Sequence, residues 1–329
     1  MNKKHEKSVC CRAGIIHWSG KRRRCVGCGR TWSVWKKRRG RKKRRVDTNL
    51  VRAFLSREIA SLASLSRRRG CSPAHMQNTL KKSRDLFIAV TPWQPVPKAQ
   101  LIMVADGVVE YVEGHWYTVY LMLVRAVGDT EAIILPPIIK QGTETAAGWK
   151  AAVDSLPETV RKRLVALICD GHNGLVTEAK WRGWLLQRCH FHLLARIQSR
   201  RSRWKIARHK VEAERIFQQV HRVLEHPSEG ELTESLSILE EIGWTSTSPE
   251  IRKVLSGFVR NFRDYRLYLK RPDLHLPTTN NTAESLASSI ANLKYRMRGF
   301  PTLHSFTRWI IALLKFKKKI ACNGFHQQN

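Results

Sequence analysis

The sequence predicts an α/β protein whose mixed sheet carries helices on its faces. Two segments rich in β-branched and aromatic residues, 101–112 and 116–127, are separated only by Glu113-Gly114-His115, which favours a pair of antiparallel strands. Apolar runs predict further strands at 132–135, 164–169 and 184–189, and helical periodicity predicts helices at 143–156 and 175–181. Three strands followed by alternating helices and strands indicate a sheet with both antiparallel and parallel neighbours.

The chain beyond this sheet is predicted to be helical almost to its end. Residues 190–270 are rich in Arg, Glu, Ile and Leu, with breaks at Pro227 and Ser248-Pro249. Two more helices are expected at 281–298 and 302–320. We therefore expect one domain over residues 98–329, with a helical insertion at about 195–272.

Residues 47–90 predict two helices that precede the sheet. The first spans 50–66 and the second 73–87, and a glycine-bearing turn separates them. This arrangement fits either a helix-turn-helix that reads DNA or a plain helical hairpin, and its basic neighbours favour the first. The candidate phosphate contacts are Lys81, Lys82 and Arg84. A proline-rich linker, 91–97, ends the region.

The distribution of charge indicates a nucleic-acid partner. The chain has 60 Lys and Arg against 26 Asp and Glu, a formal net charge of +34, and 18 of these cations with a single Glu lie in the first 45 residues. A basic arm is also typical of a solvated tail or a membrane-surface segment. No amphipathic Trp/Leu face accompanies this one, so we expect DNA and no membrane partner.

The sequence also predicts a cytoplasmic location. The Lys-rich N-terminus has no apolar segment of the kind found in a signal peptide, and no apolar stretch is as long as a membrane span. The eight cysteines are clustered, which favours reduced thiols and metal ligands over a disulfide framework.

Residues 1–46 predict a small zinc-ribbon-like segment. Cys25 and Cys28 have the spacing of a zinc knuckle, and Cys10 and Cys11 precede them. Because a ribbon normally has two C-x-x-C knuckles, one of Cys10 and Cys11 with a histidine could complete the ligand set. The candidate histidines are His5 and His17. The alternative is a ribbon that no longer binds zinc.

Three acidic residues are candidates for a metal-dependent phosphoryl-transfer site. Asp106 and Asp170 each follow an apolar run and precede a glycine, and Glu284 lies at the start of a predicted helix. Carboxylates at strand ends and on a later helix can converge on two divalent cations. The alternatives are Asp-Gly turns for the two aspartates and a capping box, Asn281-x-x-Glu284, for the third acid.

Cys189 and His192 form a second motif directly after the strand predicted at 184–189. Two ligands at this spacing could hold a metal, but a complete zinc site needs four. The alternative is a buried cysteine beside a core or phosphate-facing histidine. The motif therefore has no assigned role from the sequence, and we expect zinc at Cys25 and Cys28 instead.

Several separated motifs resemble bacterial insertion-sequence transposases of the Mutator-like group. Asp170-Gly171-His172-Asn173-Gly174-Leu175 resembles the motif of the second acid, and Gln187-Arg188-Cys189-His190-Phe191-His192 resembles the segment that follows it. Thr278-Thr279-Asn280-Asn281-Thr282-Ala283-Glu284 resembles the segment that bears the third acid. Asp106 takes the position of the first acid.

This resemblance implies an RNase H-like catalytic core of the DDE type and a DNA transposase activity. Asp106, Asp170 and Glu284 would hold two Mg²⁺ or Mn²⁺ ions for cleavage at transposon ends and strand transfer. The partners would be double-stranded DNA, as terminal inverted repeats and target, and further copies of the chain in a dimer or larger synaptic assembly near the bacterial nucleoid. The alternatives are a transposase-derived DNA-binding regulator without catalysis and an RNase H-like nuclease.

Overall fold

The structure is a computed structural model that describes residues 10–13, 15–19, 22–33, 47–59, 61–203, 210–225 and 228–322. The chain divides into two compact units, an N-terminal unit of residues 1–46 and a main unit of residues 47–329. The N-terminal unit contains a three-stranded antiparallel sheet of β1 (Ile15–Ser19), β2 (Arg22–Cys25) and β3 (Thr31–Ser33). His5 and the basic tract 36–45 lie outside the described residues.

The main unit begins with three helices, where two were predicted. They are α1 (Thr48–Leu55), α2 (Leu62–Arg68) and α3 (Pro73–Val90). The single helix predicted at 50–66 is wrong, because Ser61 caps a new helix at Leu62 by accepting a hydrogen bond from the Ser64 N–H. Arg84 is also wrong as a phosphate contact, since it is buried and pairs with Asp85.

The predicted mixed sheet is confirmed, with two additional strands. It contains β4 (Leu101–Val112), β5 (His115–Ala126), β6 (Glu131–Ile134), β7 (Ile138–Gln141), β8 (Leu164–Cys169), β9 (Leu185–Arg188) and β10 (Lys319–Ala321). The strand order is β10-β6-β5-β4-β8-β9, and β7 also pairs with β5. The pairs among β10, β6, β5 and β4 are antiparallel, whereas β4, β8 and β9 are parallel.

Alternate residues of the central strands enter two different hydrophobic cores. In β4, Leu101, Met103 and Ala105 belong to one core, and Ile102 and Val104 belong to the other. The first core is covered by α4 (Ala146–Asp154), α5 (Glu158–Arg161) and α6 (Asn173–Trp181). The sheet is thus buried on both faces, which accounts for the nearly continuous apolar sequence of its central strands.

The predicted helical insertion forms a third hydrophobic cluster of its own. Its helices are α7 (His190–Arg203), α8 (Lys210–Glu225), α9 (Glu229–Thr245), α10 (Pro249–Tyr265) and α11 (Leu267–Lys270). The buried Gln187 side chain in β9 donates to the Tyr265 carbonyl and accepts from the Tyr268 N–H. These bonds fasten the end of the insertion to the sheet.

The last two helices cover the second face of the sheet together with α1 and α3. They are α12 (Asn281–Met297) and α13 (Leu303–Lys317). The Phe54 ring of α1 lies 5.4 Å from the Trp309 ring of α13, so the N-terminal helices are part of this core. No helix among the described residues has the length and apolarity needed to cross a membrane.

Candidate active site

Asp106 lies within β4, so the prediction that it ends a strand is wrong. β4 continues through Gly107 to Val112, but its parallel pairing with β8 stops at Val104. Continuing that register by two residues places Asp106 opposite Asp170. The alternation of β4 also directs Asp106 towards the face that α12 covers. Asp106 is therefore located where the neighbouring strand ends, although its own strand does not.

Asp170 directly follows β8, as the sequence predicted. Its Oδ1 accepts a hydrogen bond of 2.8 Å from the His172 N–H, and Gly171 between them has a φ of +92°, in the left-handed region that favours glycine. The His172 Nδ1 in turn accepts from the Gly174 N–H and caps α6. The Asp170-Gly171-His172 sequence thus forms a tight turn that holds the carboxylate at the strand end.

Glu284 lies in the first turn of α12, but the capping-box interpretation is wrong. The N-cap is Asn280 rather than Asn281, and the Asn280 side chain makes no capping hydrogen bond. The Glu284 carboxylate is directed to His192, whose Nδ1 lies 3.4 Å from Glu284 Oε1. Because the Glu284 carboxylate does not hydrogen-bond to the backbone at the start of α12, its oxygens are free to contact other groups of the site.

Two hydrogen bonds, one between backbone groups and one from a backbone N–H to a cysteine sulfur, fix the segment that leads into α12. The His190 N–H donates to the Thr278 carbonyl at 2.8 Å, and the Asn280 N–H donates to Cys189 Sγ at 3.3 Å. Residues 278–280 are therefore attached to the end of β9. This attachment returns the chain to the sheet after the helical insertion, at the end of β9 where α12 begins.

The charges of the other acids affect the pKa of Asp106. The pKa of Asp106 is raised from 3.8 to about 7, mainly by burial and then by the negative charges of Asp170, Glu144 and Glu284, against a hydrogen bond from the Gly107 N–H. Burial also raises the pKa of Glu284, and His192 opposes this rise. Like charges gathered in a partly buried place create an electrostatic demand for a cation.

Glu144 is a fourth acid at this site that the sequence analysis missed. Its carboxylate accepts a hydrogen bond of 2.5 Å from the Trp149 indole N–H and lies 3.7 Å from His172 Nδ1. A side chain at position 107 would collide with it, since a Cβ built on Gly107 would be 2.6 Å from the Glu144 Cδ. The glycine after Asp106 thus makes room for this carboxylate rather than forming a turn.

Cys189 and His192 also reach the site. Cys189 follows β9 and His192 is in the first turn of α7, and their side chains meet Glu284 so that the three potential ligand atoms lie within 4.8 Å of one another. The Cys189 and His192 motif was visible in the sequence. Its contact with Glu284 was not, because the whole helical insertion separates Glu284 from the motif along the chain.

The four cysteines of the N-terminal unit form a separate cluster. Cys11 Sγ lies 3.2 Å from Cys25 Sγ, Cys10 Sγ lies 3.4 Å from Cys28 Sγ, and all four sulfurs are within 4.8 Å of one another. Zinc–thiolate bonds of about 2.3 Å in a tetrahedron require sulfurs about 3.8 Å apart. Adjacent Cys10 and Cys11 therefore complete a four-thiol set, which makes a histidine ligand unnecessary.

Comparison with known proteins identifies the family. Residues 121–319, more than half of the chain, match the family described as "Transposase, Mutator family". The chain belongs to the Mutator family of transposases. The range that matches this transposase family includes Asp170, Cys189, His192 and Glu284, and Asp106 precedes it.

The transposase has no match among the curated proteins compared. Among solved structures it is similar to a chain of the Drosophila P element transposase strand transfer complex, with 13% sequence identity and a TM-score of 0.38. That similarity covers 70% of this chain and 82% of the other.

Proposed function

We propose that this transposase cleaves DNA at the ends of its element and joins the ends to target DNA at one centre formed by Asp106, Asp170 and Glu284. The observation that carries the proposal is the strand register that sets Asp106 opposite Asp170, and the charges of Asp170 and Glu284, which both raise the pKa of Asp106, agree with it. Within the strand order, the antiparallel strands β6, β5 and β4 stand beside β8 and β9, which are parallel to β4, and this arrangement supports the RNase H-like core that the sequence motifs imply.

The residues of this centre suit hard divalent cations. Their donor atoms are carboxylate oxygens, which Mg²⁺ and Mn²⁺ prefer, and the surrounding burial leaves their negative charge poorly solvated. Asp106, Asp170 and Glu284 would hold two ions, with Glu144 close to the first of these acids. Such ions would activate a water or a 3′-hydroxyl and stabilise the leaving 3′-oxygen.

The protein's own groups would orient this centre. The His172 N–H holds one oxygen of Asp170, and the Trp149 indole holds one oxygen of Glu144. His192 lies against Glu284. Carboxylates that are fixed before a cation arrives lose little freedom on binding it, so these interactions favour one reactive geometry.

DNA would contact both the N-terminal unit and the helical insertion. The first 45 residues carry 18 Lys and Arg, which suits phosphate neutralisation. In the insertion, Trp244 is 86% exposed and borders a cavity of about 630 Å³ whose walls also include Arg252, Lys253 and Arg260. An exposed indole among cations is suited to stacking on nucleic-acid bases. Two ends must be held together for transposition, so we expect a dimer or a larger assembly.

The experiment that tests the function uses duplex DNA carrying the inverted repeats that flank the gene. Full-length protein with Mg²⁺ should nick the repeat ends and join the liberated 3′ ends to a plasmid target. Binding without cleavage would favour a DNA-binding regulator instead, and cleavage without joining would favour a nuclease. Scrambled repeats serve as the control for sequence-specific action.

The raised pKa of Asp106 predicts that magnesium binding strengthens with pH. Below about pH 7 the Asp106 carboxyl keeps its proton, and this proton must leave when magnesium binds. The affinity for Mg²⁺ should therefore rise about tenfold per pH unit up to that pKa. The same shift makes the Asp106 contribution to the stability of the metal-free protein fall as pH rises from 3.8 towards 7, because the unfolded chain ionises first.

The measurement is the rise in melting temperature with added Mg²⁺ between pH 5.5 and 8.5. Replacing Glu144 by Gln should move the pH midpoint downwards, because the charge of Glu144 helps to raise the pKa of Asp106. Glu131→Gln, at an exposed residue paired with Lys319, is the matched control. The assignment would be contradicted if the stabilisation by Mg²⁺ did not change with pH, or if Glu144→Gln left the pH midpoint of that stabilisation unchanged.

We also expect one Zn²⁺ per chain in the N-terminal unit, held by Cys10, Cys11, Cys25 and Cys28. A small basic segment buries little apolar surface, so a metal would stabilise its three strands. Metal analysis of full-length protein should show one zinc fewer per chain in a Cys25→Ser, Cys28→Ser double variant and no change in Cys71→Ser. An unchanged zinc content in the double variant would assign this zinc to another site.

A further inference from the structure

We propose that Cys189, His192 and Glu284 form a binding site for one thiophilic divalent cation of the Zn²⁺ class, separate from the four-cysteine cluster and sharing Glu284 with the magnesium centre. Occupation of this site would withdraw Glu284 from the magnesium centre and inhibit strand cleavage. This second consequence rests on the function proposed above, whereas cation binding itself does not.

The first support is the convergence of three different donor types. The cysteine sulfur, a histidine ring nitrogen and a carboxylate oxygen lie within 4.8 Å of one another, so small adjustments would bring all three into contact with a single ion. Cys189 and His192 are fixed by the start of α7, and Glu284 by the start of α12. Three ligands fixed on well-packed elements form the usual framework of a zinc site with one open position.

The second support is a set of buried polar atoms without hydrogen bonds. The His192 Nδ1 is buried, and only the 3.4 Å contact with Glu284 Oε1 approaches it among the described residues. Asn280 is fully buried, and within the described part of the chain both polar atoms of its amide lack a hydrogen bond. Because unpaired buried polar groups are costly, their presence beside these ligands indicates a missing binding partner.

The donor set also determines which cations would bind. Mg²⁺ prefers oxygen ligands, whereas a thiolate with an imidazole selects Zn²⁺, Co²⁺ and similar ions. As the metal–sulfur bond forms, the Cys189 S–H bond breaks and its proton passes to solvent. The Asn280 N–H, 3.3 Å from the sulfur, would then donate to the bound thiolate. Glu284 would have to serve either this ion or the magnesium centre.

The test uses cobalt as a spectroscopic probe on full-length, metal-stripped protein. A Cys25→Ser, Cys28→Ser background removes two ligands of the four-cysteine site, and a further Cys189→Ser substitution tests whether the remaining thiolate-to-cobalt absorption comes from Cys189. We expect one Co²⁺ to bind with this absorption band and excess Zn²⁺ to displace it. Adding Cys189→Ser should abolish the band, and His192→Ala should weaken binding on the order of 100-fold.

Cys71→Ser in the same background is the matched control and should keep the band, since Cys71 lies in the turn before α3. Circular dichroism verifies that each variant is folded. If Cys189→Ser does not fold, His192→Ala decides. The proposal would be overturned if the background protein showed no cobalt band, if the band survived Cys189→Ser in folded protein, or if folded His192→Ala bound cobalt with unchanged affinity.

Cleavage assays separate this proposal from the function proposed above. With Mg²⁺ present, Zn²⁺ should inhibit, and the half-inhibiting concentration should rise at least about tenfold in His192→Ala when each protein is compared with its own zinc-free rate. Cobalt binding without any DNA cleavage would count against the transposase mechanism alone. Cleavage that Zn²⁺ does not inhibit would count against the competition for Glu284.

Discussion

Replacing Asp106 or Asp170 by Asn, or Glu284 by Gln, should abolish DNA cleavage and leave DNA binding in place. Each substitution removes a charged cation ligand from the centre while keeping the size of the side chain. Metal ions contribute several kcal/mol of charge stabilisation to phosphoryl transfer, so we expect a loss of at least about 10³-fold in cleavage rate. Rates on labelled repeat-end DNA with Mg²⁺ measure this loss, and a gel-shift assay measures binding.

Stability gives this experiment a second readout. Asp106 is buried among like charges, so Asp106→Asn should leave the melting temperature of the metal-free protein at neutral pH unchanged or higher. Asp273→Asn is the control, because that exposed carboxylate pairs only with Arg271 among the described residues and lies outside the centre. A variant of any of the three acids with near-normal strand transfer would remove that residue from the site.

Deleting residues 1–46 should greatly weaken binding to transposon ends while the main unit stays folded. The deletion follows the boundary between the two units and removes 18 of the 60 Lys and Arg. We expect affinity to fall on the order of 100-fold at about 0.15 M salt, and the salt dependence to become shallower by about 0.9 for each phosphate that is no longer neutralised. Affinities measured at several salt concentrations give both numbers.

Two controls separate charge from fold in this result. Replacing the Lys and Arg of 36–45 by Gln tests charge alone, and Cys25→Ser with Cys28→Ser tests the cysteine cluster alone. A longer deletion through residue 88 would be uninformative, because α1 and α3 share the core with α13. If the variant without residues 1–46 protected the same stretch of end DNA, the main unit would be the part that recognises the transposon ends. Trp244 and its neighbouring cations would then be the next candidates.

The central sheet was predictable because its signals are local. The alternation of 101–112 and 116–127 predicted β4 and β5 almost to the residue, and the apolar run at 132–135 predicted β6 to within one residue at each end. β7 and β10 were missed because each is three or four residues long and is formed by pairing with a distant strand. Short edge strands are selected by the partner that is present rather than by their own sequence.

The candidate site shows the same division between local and distant information. Apolar runs located Asp106 and Asp170, but only the fold explains why a glycine follows Asp106, since Glu144, between β7 and α4, occupies the space that a side chain at position 107 would need. The helix start at Glu284 was predictable, whereas its partner His192 was not, because the whole insertion separates them. The sequence suggested that Arg84 is exposed and contacts phosphate. In the structure its guanidinium lies over the Trp309 ring and pairs with Asp85.

The most direct test of the proposed centre is a crystal structure of the full-length protein soaked with Mn²⁺, using anomalous scattering to locate the ions. We expect two anomalous peaks roughly 4 Å apart, with carboxylate oxygens of Asp106, Asp170 and Glu284 at bonding distance. Asp170→Asn should lose both peaks or retain one at low occupancy. Manganese found only elsewhere, or the three carboxylates apart by more than about 12 Å, would contradict the two-metal centre.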